Sequence, residues 1–332
     1  MGNPRYNIPD FEKIADVAKA HKIPLVVDNT LGACGALILP SNYHALPQVE
    51  QNRVRWVPID QAEKQDIRPL RIGIMNIMPL GEQYEFNLLL PLGLSVLQIE
   101  PVWIRLETHS YKTWAPGHLD DLYKSYSEAI QDSALDGLII TGAPVEHLEF
   151  EDVQYWDEFT EIANHAREHT PSTLGICWGG FALGYLEGIS KVYFDRKLFG
   201  VFELNNLDPA HHIMAAMDDT FLAPQSRLAG MSDSELLKAR DVGKINLLAH
   251  GLESGYTIFE TSDRKVLMHL GHPEYSAGRL AYEVVRDTED DSVPPIHNFD
   301  PENPINKWRM HRNTFFQQWI RFCYTQISLT TG

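Results

Sequence analysis

The pattern of apolar and polar positions changes character along the chain. From Ile67 onward, short apolar runs alternate with stretches whose apolar residues recur at helical spacing. The runs at 70–77, 97–106, 137–141, 172–176, 244–249, 256–260 and 265–270 read as strands. Residues 82–90, 118–131, 153–168, 179–186, 277–286 and 307–326 read as helices. Short apolar strands separated by amphipathic helices predict an α/β fold with a mostly parallel sheet covered on both faces. Reactive groups in such sheets sit in the loops beyond the strand C-termini. The first 40 residues read differently: an amphipathic helix over 10–20, a buried strand over 23–27 and a glycine-rich loop over 31–35. Residues 41–66 are polar, carry Pro47 and Pro58 after Pro40, and show no period, so they are expected to form a linker or an irregular N-terminal arm.

Composition narrows the function classes. The chain has 332 residues, 44% hydrophobic and 22% charged, enough to bury a core without staples. A formal charge of −17 disfavours nucleic acid, whose phosphates need Lys and Arg, and still permits a local basic pocket. Cys34, Cys177 and Cys323 are too few for a disulfide framework and form no CxxC pair, which fits a reducing, cytoplasmic setting. Residues 1–18 lack the apolar core of a signal peptide, and no apolar run is long enough to span a membrane.

The sharpest chemical signal is Ser172-Thr-Leu-Gly-Ile-Cys177-Trp-Gly-Gly180. An apolar strand runs into a cysteine, and small residues then open a helix, the layout of a nucleophile elbow. The helix N-terminus supplies backbone N–H groups and lowers a thiol pKa, and the N–H of Trp178 is the natural first oxyanion donor. The alternative is a buried cysteine acting as a small hydrophobe. Downstream, Gly271-His272-Pro273-Glu274 follows an apolar strand; two residues apart in extended chain, His272 and Glu274 point the same way. A carboxylate so placed orients the imidazole, which makes Cys177, His272 and Glu274 a candidate triad. Weaker features are the pairs His269/His272 and His211/His212, better read as structural than as a metal site, so no metal is expected. Arg196, Lys197 and Arg227 are positive charges available to a phosphate, each better read as a solvated surface charge. The aromatic C-terminal helix (Trp308, Phe315, Phe316, Trp319, Phe322) reads as core or dimer packing.

Several ordered blocks carry a family resemblance: RPLRIGIMNIMP at 68–79, DGLIITGAPVEHLEFEDVQYW at 136–156, ICWGGFALGYLEGI at 176–189, FLAPQSR at 221–227 and GHPEYSAGRLAYEVVRD at 271–287. Residues 67–330 resemble the homoserine O-acyltransferases of the homoserine transsuccinylase family. The resemblance implies a class I glutamine amidotransferase-like three-layer sandwich and a ping-pong acyl-cysteine mechanism. It assigns Cys177 as nucleophile, His272 as base and Glu274 as its orienter. It puts Lys197 on the acyl-CoA side and Ser226 and Arg286 at the amino-acid acceptor, where a guanidinium suits a carboxylate. Glu146 stands where family members using succinyl carry glycine. A glutamate there fills space and repels a succinyl carboxylate, so acetyl-CoA is the expected co-substrate. The implied product is an O-acetyl amino acid of methionine biosynthesis, and the implied assembly is a homodimer. Three departures leave the acceptor open between L-homoserine and L-serine: Gly-Ile-Cys where His-Ile-Cys is common, LGEQYEFNLL after Met78-Pro79, and Gln225 where histidine is usual. GICWG also fits the glutaminase pattern, and a binding module on the same fold is a further alternative.

Residues 1–40 resemble an internal piece of pyridoxal-phosphate enzymes of the cystathionine synthase and O-acetylhomoserine sulfhydrylase family, with Asp28 matching the aspartate that faces the pyridine nitrogen. One helix and one strand cannot build that site, so no pyridoxal phosphate is expected and the piece is read as a fusion remnant.

Overall fold

The computed structural model describes residues 19–20, 35–65, 67–131, 133–287 and 293–330. The expected N-terminal helix and strand, with Asp28 and Cys34, lie outside the described residues. The body from Gly35 onward is built on one sheet of eleven described strands. These are β1 (Leu37–Leu39), β2 (Trp56–Pro58), β3 (Leu70–Met75), β4 (Ile99–Ile104), β5 (Gly137–Ile140), β6 (Thr173–Ile176), β7 (Lys191–Asn206), β8 (Thr220–Met231), β9 (Ile245–Gly251), β10 (Gly255–Thr261) and β11 (Val266–His269). Their order is β2-β1-β4-β3-β5-β6-β11-β10-β9-β7-β8. Pairing is parallel from β2 through β11 and antiparallel beyond.

The central strands β5, β6 and β11 are buried at every position, as expected for parallel strands covered on both faces. The helix Trp156–His169 covers the sheet with a stripe of Trp156, Phe159, Ile162, Ala163 and Ala166 at helical spacing. The C-terminal helix Arg309–Thr330 buries Phe315, Phe316, Trp319, Ile320 and Cys323, and the Trp319 indole donates to Ser172 Oγ at 3.0 Å. Phe315, Phe316 and Trp319 are thus core, whereas Phe322 is partly buried and Tyr324 exposed.

Three local expectations change. The stretch 41–66 is not a free linker: the helix Leu46–Gln51 buries Val49, and β2 pairs in parallel with β1 at the edge of the sheet. The expected helix 118–131 is two short ones, His118–Leu122 and Tyr126–Gln131. Between them Lys124 turns its backbone to β4, donating to Trp103 O at 3.0 Å and accepting from Arg105 N–H at 2.9 Å. The region 191–231, for which no strand is expected, forms the long antiparallel pair β7–β8, with Phe199 opposite Ser226.

Candidate active site

β6 ends at Ile176, and Cys177 adopts φ 51° and ψ −117° before the helix Trp178–Leu186 begins. A non-glycine residue keeps such a conformation only where its surroundings impose it. Here the Cys177 N–H donates to His269 O at 2.9 Å, at the end of β11, and its carbonyl accepts from the Phe181 N–H at 2.9 Å. The helix can approach the sheet this closely because of Gly179: a Cβ there would lie 2.6 Å from Ile140 O. As the first helical residue, Trp178 has a backbone N–H without an acceptor inside the helix. Its indole is buried in edge contacts with Tyr155 and Phe159, centroids 5.5 and 5.2 Å away.

β11 delivers His272 to the same place. The His272 N–H donates to Pro224 O on β8 at 2.9 Å, and the ring stacks on Tyr275 at 4.1 Å. His272 Nδ1 lies 2.8 Å from Glu274 Oε1. Nε2 is thus the nitrogen turned to the substrate side. A Cβ at Gly142 would sit 3.3 Å from Cys177 Cβ and 3.5 Å from His272 Cε1, so thiol and imidazole flank one small space. Glu274 is fully buried, and the same Oε1 accepts from the Tyr84 hydroxyl.

The electrostatics follow from burial. Burial pushes the Cys177 thiol up, His272 pulls it down and Glu146 adds to the rise. Burial by itself would lower His272, but Cys177 and Glu274 outweigh it and hold the imidazole well above its usual range. A thiol held up in this way needs a base to take its proton during attack, and His272 is placed to do so.

A cavity of about 180 Å³ opens over these groups. It brings together Cys177, His272, Glu146, Lys197, Ser226 and Arg286 from separate stretches of chain. Glu146 Oε1 lies 3.6 Å from Cys177 Sγ, and Oε2 accepts from the Leu228 N–H at 2.6 Å. Burial pushes this carboxyl up from its ordinary value, and the Leu228 N–H and His272 oppose it.

The far wall is a charged network. Ser226 Oγ donates to Glu283 Oε2 at 2.5 Å, and the Tyr275 hydroxyl donates to Glu283 Oε1 at 2.6 Å. Arg279 and Arg286 approach the same carboxylate at 3.3 and 3.4 Å. Arg286 also grips Asp287 through Nε at 2.6 Å and Nη2 at 2.9 Å. Lys197, expected on the acyl-CoA side, binds Asp287 Oδ2 at 2.5 Å, so it is tied to Arg286 on the wall expected for the acceptor.

Glu283 and Tyr84 escape sequence reasoning. Glu283 is a buried carboxylate on the helix Ala277–Asp287. Its sequence signal is the i, i+4 pair with Arg279, which reads as an ordinary helix-surface ion pair. Tyr84 is 190 residues from Glu274 and carries no local signal.

Among the described residues two clusters have metal-ligand composition, His44/Glu85/His118 and His211/His212/Glu260, with ligand atoms within 4.8 Å of one another. In each the carboxylate is taken by hydrogen bonds, although both His212 ring nitrogens are without a partner among the described residues. The Glu85 carboxylate takes the Tyr43 and Tyr123 hydroxyls and His118 Nε2. His211 Nδ1 accepts from the Ile213 N–H at 3.3 Å, which leaves the proton on Nε2 for Glu260 at 2.7 Å. His269 Nδ1 accepts from the Gly271 N–H at 3.1 Å, and burial first of all lowers it to about 3, a neutral core histidine.

Comparison with known proteins bears on fold and family separately. A glutamine amidotransferase from Thermotoga maritima shares 13% identity at a TM-score of 0.51, covering 77% of this chain and 99% of that one. A protein from Thermoplasma acidophilum, described as a putative GMP synthase component, shares 15% identity at a TM-score of 0.51, covering 80% and 99%. These likenesses fix the fold as class I glutamine amidotransferase-like. In sequence, a homoserine O-acetyltransferase of Ruegeria pomeroyi is 37% identical over 293 residues, 86% of this chain and 93% of that protein. One from Bacillus subtilis is 35% identical over 290 residues, covering 86% and 95%. The sequence profile described as homoserine O-succinyltransferase matches residues 36–329. The chain therefore belongs to this homoserine O-acyltransferase family of enzymes.

Proposed function

We propose that this enzyme is a homoserine O-acetyltransferase that carries the acetyl group on Cys177. The observation behind the choice of acyl group is Glu146, whose Oε1 stands 3.6 Å from the sulfur in the space an acyl tail must enter. An acetyl methyl carries no charge against it, whereas a succinyl tail brings a second carboxylate into a partly buried site. The relatives from Ruegeria pomeroyi and Bacillus subtilis bear the acetyltransferase name, which supports the same reading.

In the first half-reaction the Cys177 sulfur attacks the carbonyl carbon of acetyl-CoA while its proton passes to His272 Nε2. The tetrahedral oxyanion faces the helix N-terminus, where the Trp178 N–H is an available donor. Collapse breaks the carbon–sulfur bond to coenzyme A, whose thiolate takes the proton back from His272. In the second half-reaction the acceptor hydroxyl gives its proton to His272, and its oxygen attacks the acetyl thioester. Collapse restores the Cys177 thiol with that proton and releases the ester. Glu274 fixes the imidazole tautomer throughout. A zwitterionic amino acid matches the far wall: Glu283 offers an anion to its ammonium. Arg286 holds Asp287 through its Nε–Nη2 edge and Glu283 through Nη1, so the acceptor carboxylate meets the Nη protons that these contacts leave over. The O-acetyl product suits a later displacement at its side-chain carbon, consistent with a place in methionine biosynthesis.

Mass spectrometry of the full chain mixed with acetyl-CoA or succinyl-CoA, then chased with homoserine or serine, tests this directly. An acetyl adduct on Cys177 that homoserine discharges is the expected result. A succinyl adduct formed in preference, or discharge by serine alone, would replace the corresponding half of the proposal.

A further inference from the structure

The nucleophile chamber shares a wall with a second cavity. Met78, Pro79, Ala143 and Pro144 line both. The second space, about 170 Å³, lies beside the loop 109–114 and reaches Tyr155. Tyr155 is 2% exposed, and among the described residues its hydroxyl has no hydrogen-bond partner. A buried hydroxyl left unpaired is costly, and a polar group on a ligand would relieve it.

The loop is held in place by its own hydrogen bonds. The Trp114 indole donates to Met78 O at 3.1 Å, and the Leu80 N–H donates to Thr113 Oγ1 at 3.0 Å. Glu158 accepts from the backbone N–H groups of Glu107 and Thr108 at 2.7 and 2.8 Å. Burial lowers His109, keeping its ring a neutral wall 4.8 Å from Tyr155. Lys112 is exposed where the loop meets solvent.

Size decides what this space is for. A chamber of about 180 Å³ holds an acetyl group and a small amino acid. It is smaller than the roughly 300–1,000 Å³ of sites that enclose drug-sized ligands. The carrier of the acyl thioester must therefore leave the chamber. The wall with Glu283 and Arg286 is charged and suits a zwitterion, whereas the shared wall of Met78, Pro79, Ala143 and Pro144 suits an uncharged chain. Resting on the acyl-thioester reading above, we propose that the second cavity receives the pantetheine arm of the donor. The Tyr155 hydroxyl bonds one of its amides, and Lys112 faces the phosphates at its far end.

The test is steady-state kinetics of the full chain, since a ping-pong enzyme reports donor and acceptor in separate kcat/KM values. Tyr155→Phe keeps the ring and is expected to lower kcat/KM for acetyl-CoA about three- to tenfold, the size of one hydrogen bond, without a matching fall for the acceptor. Lys112→Ala, on the surface, is expected to raise KM for acetyl-CoA but not for S-acetyl-pantetheine, and the difference should fade with added salt. Equal losses for donor and acceptor, or no change in either variant, would overturn the subsite while leaving the acetyltransferase reading intact. A wild type that is acylated by neither thioester would remove that reading and the subsite with it.

Discussion

Replacing Glu146 tests the acyl choice most severely, because the variant asks for a gain. Glu146 presents one carboxylate oxygen 3.6 Å from Cys177 Sγ and anchors the other on the Leu228 N–H. A succinyl tail on the sulfur would bring its own carboxylate to within about 4 Å. At an effective dielectric of about 20, two like charges at that distance repel by about 4 kcal/mol. At about 1.4 kcal/mol per tenfold, this amounts to a discrimination near 10³. Partial exposure reduces it, so Glu146→Gly should raise kcat/KM for succinyl-CoA by about 10² to 10³. The assay is release of free thiol from succinyl-CoA in the presence of homoserine, with the Cys177 adduct identified by mass. Glu146→Gln separates the two causes, since it removes the charge and keeps the volume. If charge dominates, Gln recovers most of the gain; if space dominates, only Gly does. Because burial pushes the Glu146 carboxyl up, protonation cancels the repulsion at a pH above the ordinary glutamate range. The wild-type preference for acetyl over succinyl should therefore narrow as pH falls. A Glu146→Gly enzyme that folds, uses acetyl-CoA and still rejects succinyl-CoA would refute the reasoning.

The remaining predictions concern the triad and its frame. Cys177→Ala should abolish the acyl adduct and transfer alike; undiminished transfer would remove the nucleophile assignment. His272 must be unprotonated to accept the thiol proton, and Cys177 and Glu274 hold its pKa above 6.5 despite the opposing effect of burial. The acid limb of kcat/KM for acetyl-CoA should thus lie above pH 6.5, and Glu274→Gln should move it to lower pH while lowering kcat; a limb that does not move counts against the pair. Gly179→Ala drives a Cβ to 2.6 Å from Ile140 O and should cost about 1–3 kcal/mol in urea unfolding, with activity falling as the turn is displaced. A fully stable Gly179→Ala would mean the helix is not pressed against β5.

What the sequence discloses and what it hides divide along one physical line, the distance over which a signal is written. The Cys177 turn is local: four buried strand residues, a strained cysteine and two glycines in succession specify where the helix starts and how close it lies. His272 and Glu274 are equally local, held 2.8 Å apart not by the expected extended chain but by a turn that the Tyr275 N–H closes on His272 O at 3.2 Å. Central strands are legible for the same reason, since burial on both faces makes them continuous apolar runs. The hairpin β7–β8 is not, because β7 mixes exposed Tyr193, Asp195 and Arg196 with a buried stretch only from Phe199 to Phe202. No clean alternation survives in such a strand, yet it supplies Lys197, and its partner supplies Ser226 and the Leu228 N–H that holds Glu146. The groups that position the chemistry are hidden further still. Tyr84 reaches Glu274 across 190 residues, and Glu283 meets Ser226 across 57. Neither partner alters the local pattern around the other, so each looks like an ordinary helix residue until the sheet brings them together. On the proposed reading, the nucleophile, its base and Glu274 are thus encoded in short motifs, while Tyr84, which holds Glu274, and Glu283, which meets Ser226, are brought in by the topology. It follows that substitutions which change substrate choice in this fold should lie mostly away from the Cys177 turn and the His272–Glu274 pair, on β8, on the loop 142–147 and on the helix Ala277–Asp287.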